Sequence, residues 1–129
     1  MRRLVLAGLF ATAVGCGGEK KPGPVEPVAG DLTVAYTGPS QTDGAMLVIV
    51  TGTITAVKPA NGYTVASASL GPTSTRVVIT GNLAVGDLFK VSVADVGRVS
   101  SYSVQVEAAA DRNTFALGNP GAYSATVRR

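Results

Sequence analysis

The chain has 129 residues, which fits a single domain with short appendages. Leu, Ile, Val and Phe make up 34 of them, above the ~20% floor below which chains stay disordered, so the sequence can build one light core, rich in Val and without Trp. Of the formal net charge of +3, two units come from Arg2 and Arg3; from Cys16 onward 9 basic residues face 8 acidic ones, which excludes the clustered basic surface of a nucleic-acid binder.

Arg2 and Arg3 precede Leu4–Val14, an apolar run of 11 residues. That run is short of the ~20 apolar residues of a membrane-spanning helix and fits the ~7–15-residue apolar region of a secretory signal helix. Two cleavage points compete. Ala11-Thr12-Ala13 has the A-x-A form used by ordinary signal peptidase, which would release a soluble chain starting at Val14. Ala13-Val14-Gly15-Cys16 resembles the bacterial lipobox, in which small or apolar residues precede a Cys, although Ala13 stands where that family most often has Leu. The resemblance covers residues 1–16 and implies cleavage between Gly15 and Cys16. It also implies a diacylglycerol thioether on Cys16 and an acyl chain on its freed amine. Each buried CH₂ contributes ~0.8 kcal/mol, so several chains anchor where one would not. A catalytic role for Cys16 is disfavoured because the chain has no His to act as its base, and a lone Cys cannot form an intramolecular disulfide. Gly17 stands where inner-membrane members of the family often carry Asp, which implies sorting to the outer membrane.

Residues 16–30 read as the lipidated Cys and a flexible tether. Gly17–Gly30 holds three Pro, four Gly and four charged residues, and its few apolar residues have no period, so it cannot offset its ordering entropy by burial. Extended at ~3.1 Å per residue, it reaches on the order of 40 Å.

Residues 31–129 read as the folded domain. Val, Ile and Thr number 30 there, against 17 for Leu, Met, Glu, Gln, Lys and Arg, a balance that favours strands over helices. Turn clusters at 38–44, 59–62, 70–74, 81–87, 95–101 and 118–121 separate short apolar runs, the pattern of an all-β sandwich or barrel. The predicted strands are 31–37, with Leu32, Val34 and Tyr36 on one face, and 45–50, a continuous apolar run suited to a central strand covered on both faces. Next come 53–57, with a bend because Ile54 is out of phase with Val57, then 63–69, 75–80 and 88–94. The strand 101–108 aligns Tyr102, Val104, Val106 and Ala108, and 123–127 is last. Little helix is predicted. Tyr63, Tyr102 and Tyr123 each stand before a hydroxyl residue at a strand start, a pattern expected of buried ring bodies with polar rims. Arg128 and Arg129 read as a solvated basic pair.

Asp43–Ser67 followed by Gly86–Leu117 resembles the two halves of a cohesin-like domain: an early apolar strand, a turn with a small-residue strand, then a G-x-L-x-x-x-x-V strand. The pattern is also similar to bacterial lipoproteins that carry such a domain behind a lipobox. The resemblance implies a nine-stranded jelly-roll-type antiparallel sandwich and non-catalytic binding. The chain is shorter than cellulosomal cohesins, so dockerin binding is not implied.

Chemistry-bearing residues are sparse. Asp31, Asp43, Asp87, Asp95, Glu107 and Asp111 are scattered, whereas a glycosidase needs two carboxylates facing across a cleft. Glu107 and Asp111, the nearest pair, are expected to straddle a strand end as solvated turn residues. No Walker, GxGxxG or CxxC pattern occurs, and Gly118-Asn119-Pro120-Gly121 reads as a turn. Residues 42–44 and 110–113 could each lend one or two oxygens to calcium, but Asp and Asn favour turns on their own account. Sugar stacking would use Tyr36, Tyr63, Tyr102, Tyr123, Phe89 or Phe115, most of which the core is expected to take. The reading is a non-enzymatic envelope lipoprotein, anchored in a bacterial membrane through Cys16 and displaying a small β-sandwich for protein interaction or envelope structure, with an envelope protein or polysaccharide as its expected partner. It needs no cofactor or metal. A carbohydrate-binding module, anchored or secreted, is the alternative, and a domain accessory to an enzyme is a third. Exposed coplanar Tyr rings would favour sugar; an exposed apolar patch or strand edge would favour protein.

Overall fold

The computed structural model describes residues 26–129. Gly15, Cys16, the signal segment and most of the tether lie outside the described residues. From Gly30 the chain forms eight strands: β1 (Gly30–Thr37), β2 (Asp43–Thr51), β3 (Ala56–Pro59), β4 (Thr64–Gly71), β5 (Ser74–Thr80), β6 (Gly86–Val93), β7 (Ser103–Asp111) and β8 (Ser124–Arg128). All eight predicted strands are present, and the described residues contain one strand fewer than the nine implied by the cohesin resemblance. They are all-β, with helix limited to 3-10 turns at Val96–Ser101 and Pro120–Ala122. No helix among them is long and apolar enough to cross a membrane.

The strands form two four-stranded antiparallel sheets stacked as a sandwich. The first has the order β3-β6-β1-β8 and the second β4-β5-β2-β7. Only β4–β5 is a hairpin within one sheet; every other connection crosses from one sheet to the other. The bend expected near Ile54 is one such crossing. Gly52, at φ +125°, turns the chain out of the second sheet, its N–H donates to the Thr73 carbonyl at 2.8 Å, and β3 starts only at Ala56.

Strand alternation places Leu32, Val34 and Tyr36 of β1 and Met46, Val48 and Val50 of β2 between the sheets, all buried. Val77 and Ile79 of β5 join them, with Phe89, Val91 and Val93 of β6. Contrary to expectation, β2 is covered on one face only. It is central in its sheet, but Ala45, Leu47 and Ile49 point outward and are only half-buried. Of the four register shifts, two turn core positions to the other face. Val34 pairs with Phe89 while Ala35 pairs with Asp87, so Leu88 is an extra residue and both Leu88 and Phe89 turn inward, fully buried. In β7, Val48 pairs with Val106 while Leu47 pairs with Ala108, so Glu107 is the extra residue. This overturns the expected single face of Val104, Val106 and Ala108: after the bulge it is Ala109 that is buried, and Ala108 joins the outer face.

Strand polarity defines two ends. Gly30, Thr51, Val93 and Ser103 lie at the end where the chain enters from the tether. There the Val96 N–H donates to the Val28 carbonyl at 2.9 Å, and Asp95 caps the 3-10 turn through Gly97 N–H at 2.9 Å. Thr37, Asp43, Thr80 and Asp111 lie at the far end, the length of β1 away, roughly 25 Å.

Candidate functional site

The far end carries the most exposed large apolar side chains among the described residues. Phe115 is 81% and Leu117 77% exposed. Both lie on the loop that follows β7, and local hydrogen bonds fix that loop. The Asp111 carboxylate accepts from Asn113 N–H at 2.7 Å, from Thr114 N–H at 3.0 Å and from the Thr42 hydroxyl. Phe115 N–H donates to the Asp111 carbonyl at 2.9 Å, and Gly118 N–H to the Ala109 carbonyl at 2.8 Å, so the loop folds back on β7 with Leu117 bridged to Ala110. Arg112 N–H donates to the Thr42 carbonyl at 2.9 Å, and Gly44 makes this approach possible, since a Cβ there would sit 2.5 Å from Arg112 Cβ. These bonds hold the Asp111 carboxyl down to about 2, with the Thr42 hydroxyl the largest cause and the two backbone N–H groups next.

Phe115 has φ +57°, the left-handed region that bulky L-residues avoid. A loop that holds an exposed aromatic in such a conformation stores strain of order 1–3 kcal/mol, which is found where the surrounding structure over-determines a functional position.

Beside the loop lies the outer face of the second sheet. One cross-strand row runs Ala66, Val78, Leu47, Ala108, and the next runs Thr64, Thr80, Ala45, Ala110. Leu117 closes one end of this face over a groove of about 170 Å³ lined only by apolar residues. Phe115 overhangs a neighbouring hollow of about 290 Å³ that shares Ala45 and Ala110. The result is a flat surface of small apolar side chains with two large ones raised at its rim. It offers contact area rather than reactive groups.

Beneath the loop a polar pair is buried. Asp43 is 1% exposed, and its Oδ1 accepts from the Tyr123 hydroxyl at 2.8 Å. Tyr36 stacks on Tyr123 with ring centroids 6.4 Å apart. Both phenols are pushed up to about 12, first by burial and then by the Asp43 carboxylate. The other tyrosines also serve the fold. Tyr102 donates its hydroxyl to the Thr53 carbonyl at 2.9 Å, and Tyr63 accepts from Ala84 N–H at 3.1 Å. Each of the three rings that open a strand sits over a glycine: Tyr63 on Gly81, Tyr102 on Gly52 and Tyr123 on Gly38.

The remaining carboxylates are dispersed. Asp31 accepts from Ser92 Oγ at 2.8 Å and Lys58 Nζ at 3.1 Å, and Asp87 pairs with Arg128. Glu107 is exposed on its bulge. Glu107 and Asp111 both belong to β7, which runs on through Asp111, so they do not straddle a strand end. The two segments weighed for calcium do meet: Asp43 and Asp111 are partners across β2 and β7. Tyr123 engages Asp43 Oδ1, and Thr42, Asn113 and Thr114 engage both oxygens of Asp111, whereas Asp43 Oδ2 is buried without a hydrogen-bond partner. No cluster of three or more His, Cys, Asp or Glu forms among the described residues. The prominence of Phe115 escapes a reading of composition. The available signal is the Asp-x-Asn-Thr turn just before it, which lifts Phe115 out of the strand pattern.

In comparison with known proteins, the chain matches no family model, no curated protein and no solved structure.

Proposed function

We propose that the chain is a bacterial envelope lipoprotein, held to a membrane through acylated Cys16, whose sandwich is a non-catalytic display domain for a protein partner. The observation that carries this reading is the exposed, pinned Phe115 at the end of the sandwich opposite the tether. Residues arriving from Cys16 dock at Val28 and Gly30, so β1 carries the loop roughly 25 Å further from the anchor. Covering Phe115 and Leu117 would contribute about 1.5–3 kcal/mol each, and a loop already fixed loses little entropy on binding. The sugar-binding alternative draws less support, because every tyrosine is buried or half-buried and three spend their hydroxyls on the fold.

Two measurements test the proposal. The first is the intact mass of the mature chain from the membrane fraction, for wild type and Cys16→Ser. An acylated chain starting at Cys16, with the variant unprocessed or released, supports the anchor; a soluble wild-type chain starting at Val14 overturns it. The second is photo-crosslinking in cells from position 115 and, as a control, from Lys90 on the first sheet. Crosslinks to one envelope protein from position 115 alone, lost when Leu117→Ser is added, support display from the far end. Equal crosslinking from both positions overturns it.

A further inference from the structure

We propose that two copies of this chain pair through β4, edge to edge and antiparallel, joining their second sheets into one of eight strands. The four sheet edges differ in how they are guarded. β3 is four residues long with Lys58 and Pro59, and β8 is five residues long and ends in Arg128. β7 carries the Glu107 bulge, and the 112–118 loop folds onto its far half through Gly118 and Ala109. Charge, proline, bulges, shortness and cover are the usual means of stopping an edge from pairing. β4 is eight residues, Thr-Val-Ala-Ser-Ala-Ser-Leu-Gly, with no charge and no proline; its register shift with β5 falls only at Leu70, at its end, and it is exposed from Ala66 through Leu70. Its half nearest the tether also stands off the first sheet, across a cleft of about 350 Å³ bounded by Ile54, Val57, Ser67 and Ser69.

The occupant follows from the chemistry of the strand. A two-fold axis at Ser67 places Ser67 opposite its own copy, Ala66 opposite Ala68, Val65 opposite Ser69 and Thr64 opposite Leu70. Each residue then meets one on its own face of the sheet, Val65, Ser67 and Ser69 on the inner face and Thr64, Ala66, Ala68 and Leu70 on the outer one. No like charges meet and no bulky side chains collide. No charged or aromatic feature of β4 selects a foreign sequence, whereas the strand is its own complement. Because the other three edges are guarded, pairing closes at two copies. The axis turns one sandwich end over end.

The test uses the full chain carrying Cys16→Ser, so that neither the anchor nor a disulfide at that position joins copies. Sedimentation is read up to roughly 100 μM, where a dimer of micromolar affinity is saturated. The dimer mass is expected, and adding Ser67→Lys, which sets two like charges face to face, should return the monomer. In a second variant, Ser67→Cys should form an intermolecular disulfide on mild oxidation, while Ser124→Cys on β8 should not. A monomer throughout, a dimer that survives Ser67→Lys, or equal crosslinking at both positions overturns the proposal. So does a monomer that instead binds a foreign extended peptide along β4. If Ser67→Lys fails to fold, the disulfide pair decides.

Discussion

The two sheets share one core and face solvent differently. On the first sheet the outward positions carry Asp31, Ser92, Lys58, Lys90 and Arg128, several of them joined in ion pairs or hydrogen bonds. On the second, the corresponding positions are largely Ala, Val, Leu and Ile, with Arg76, Gln105 and the bulged Glu107 among them, and its edge strand β4 is uncharged. The inner faces are alike, so folding alone does not require this difference. Under the display proposal, the first sheet is the solvent side and the second the contact side.

The largest expected effect shows where the sheets are equivalent. Phe89, fully buried between them, should cost about 3–5 kcal/mol when cut to Ala, measured by denaturant unfolding. Leu47, on the outer face, should cost only ~1 kcal/mol when changed to Ser, because it already meets water in part. The comparison between faces breaks if Leu47→Ser destabilises as much as Phe89→Ala, for that would make the outer face part of the core.

A smaller effect concerns the far end, where the contact loop rests on the buried Tyr36–Asp43–Tyr123 group. Both phenols titrate near 12 in the folded chain and near 10 when unfolded. The unfolded chain therefore loses these protons first. The stability that the neutral phenols contribute is complete below pH 10 and falls as pH rises from about 10 to 12. Absorbance titration should show Tyr36 and Tyr123 ionising late. Asp43→Asn should bring both part of the way back toward 10, since it removes the carboxylate's contribution and leaves that of burial. Normal titration of Tyr36 and Tyr123 would mean that this end is open to water.

Much of the fold is legible in the sequence because strand runs and turn residues are local signals. β1, with Leu32, Val34 and Tyr36 inward, is present as read, and all eight strands lie within a few residues of expectation. What escapes is set by partners distant in the chain. Leu88 and Glu107 are bulges only because of the registers of β1 and β2. Asp43 reads as a turn residue, and its burial depends on a hydroxyl 80 positions away. Phe115 is one aromatic among several in composition. Its exposure follows from the Asp111 turn and from Gly44, whose missing side chain lets the loop settle on β2.

The smallest expected effect lies on the solvent side. Lys58 and Lys90 are direct partners across β3 and β6, a like-charge pair that Asp31 relieves by binding Lys58. The Asp31 carboxyl is held below its usual value, first by Ser92 and then by Lys58. Its contribution is therefore present above pH ~4 and lost as pH falls below it. All of these groups are well exposed, and exposed pairs are weak and screened by salt. Asp31→Asn should barely lower the thermal midpoint at low salt, and the difference from wild type should vanish at high salt, where the two lysines no longer repel. A large loss that salt does not touch would mean that Asp31 anchors the start of β1 through Ser92 rather than through charge. The first sheet would then be as dependent on its outer face as the second is indifferent to its own.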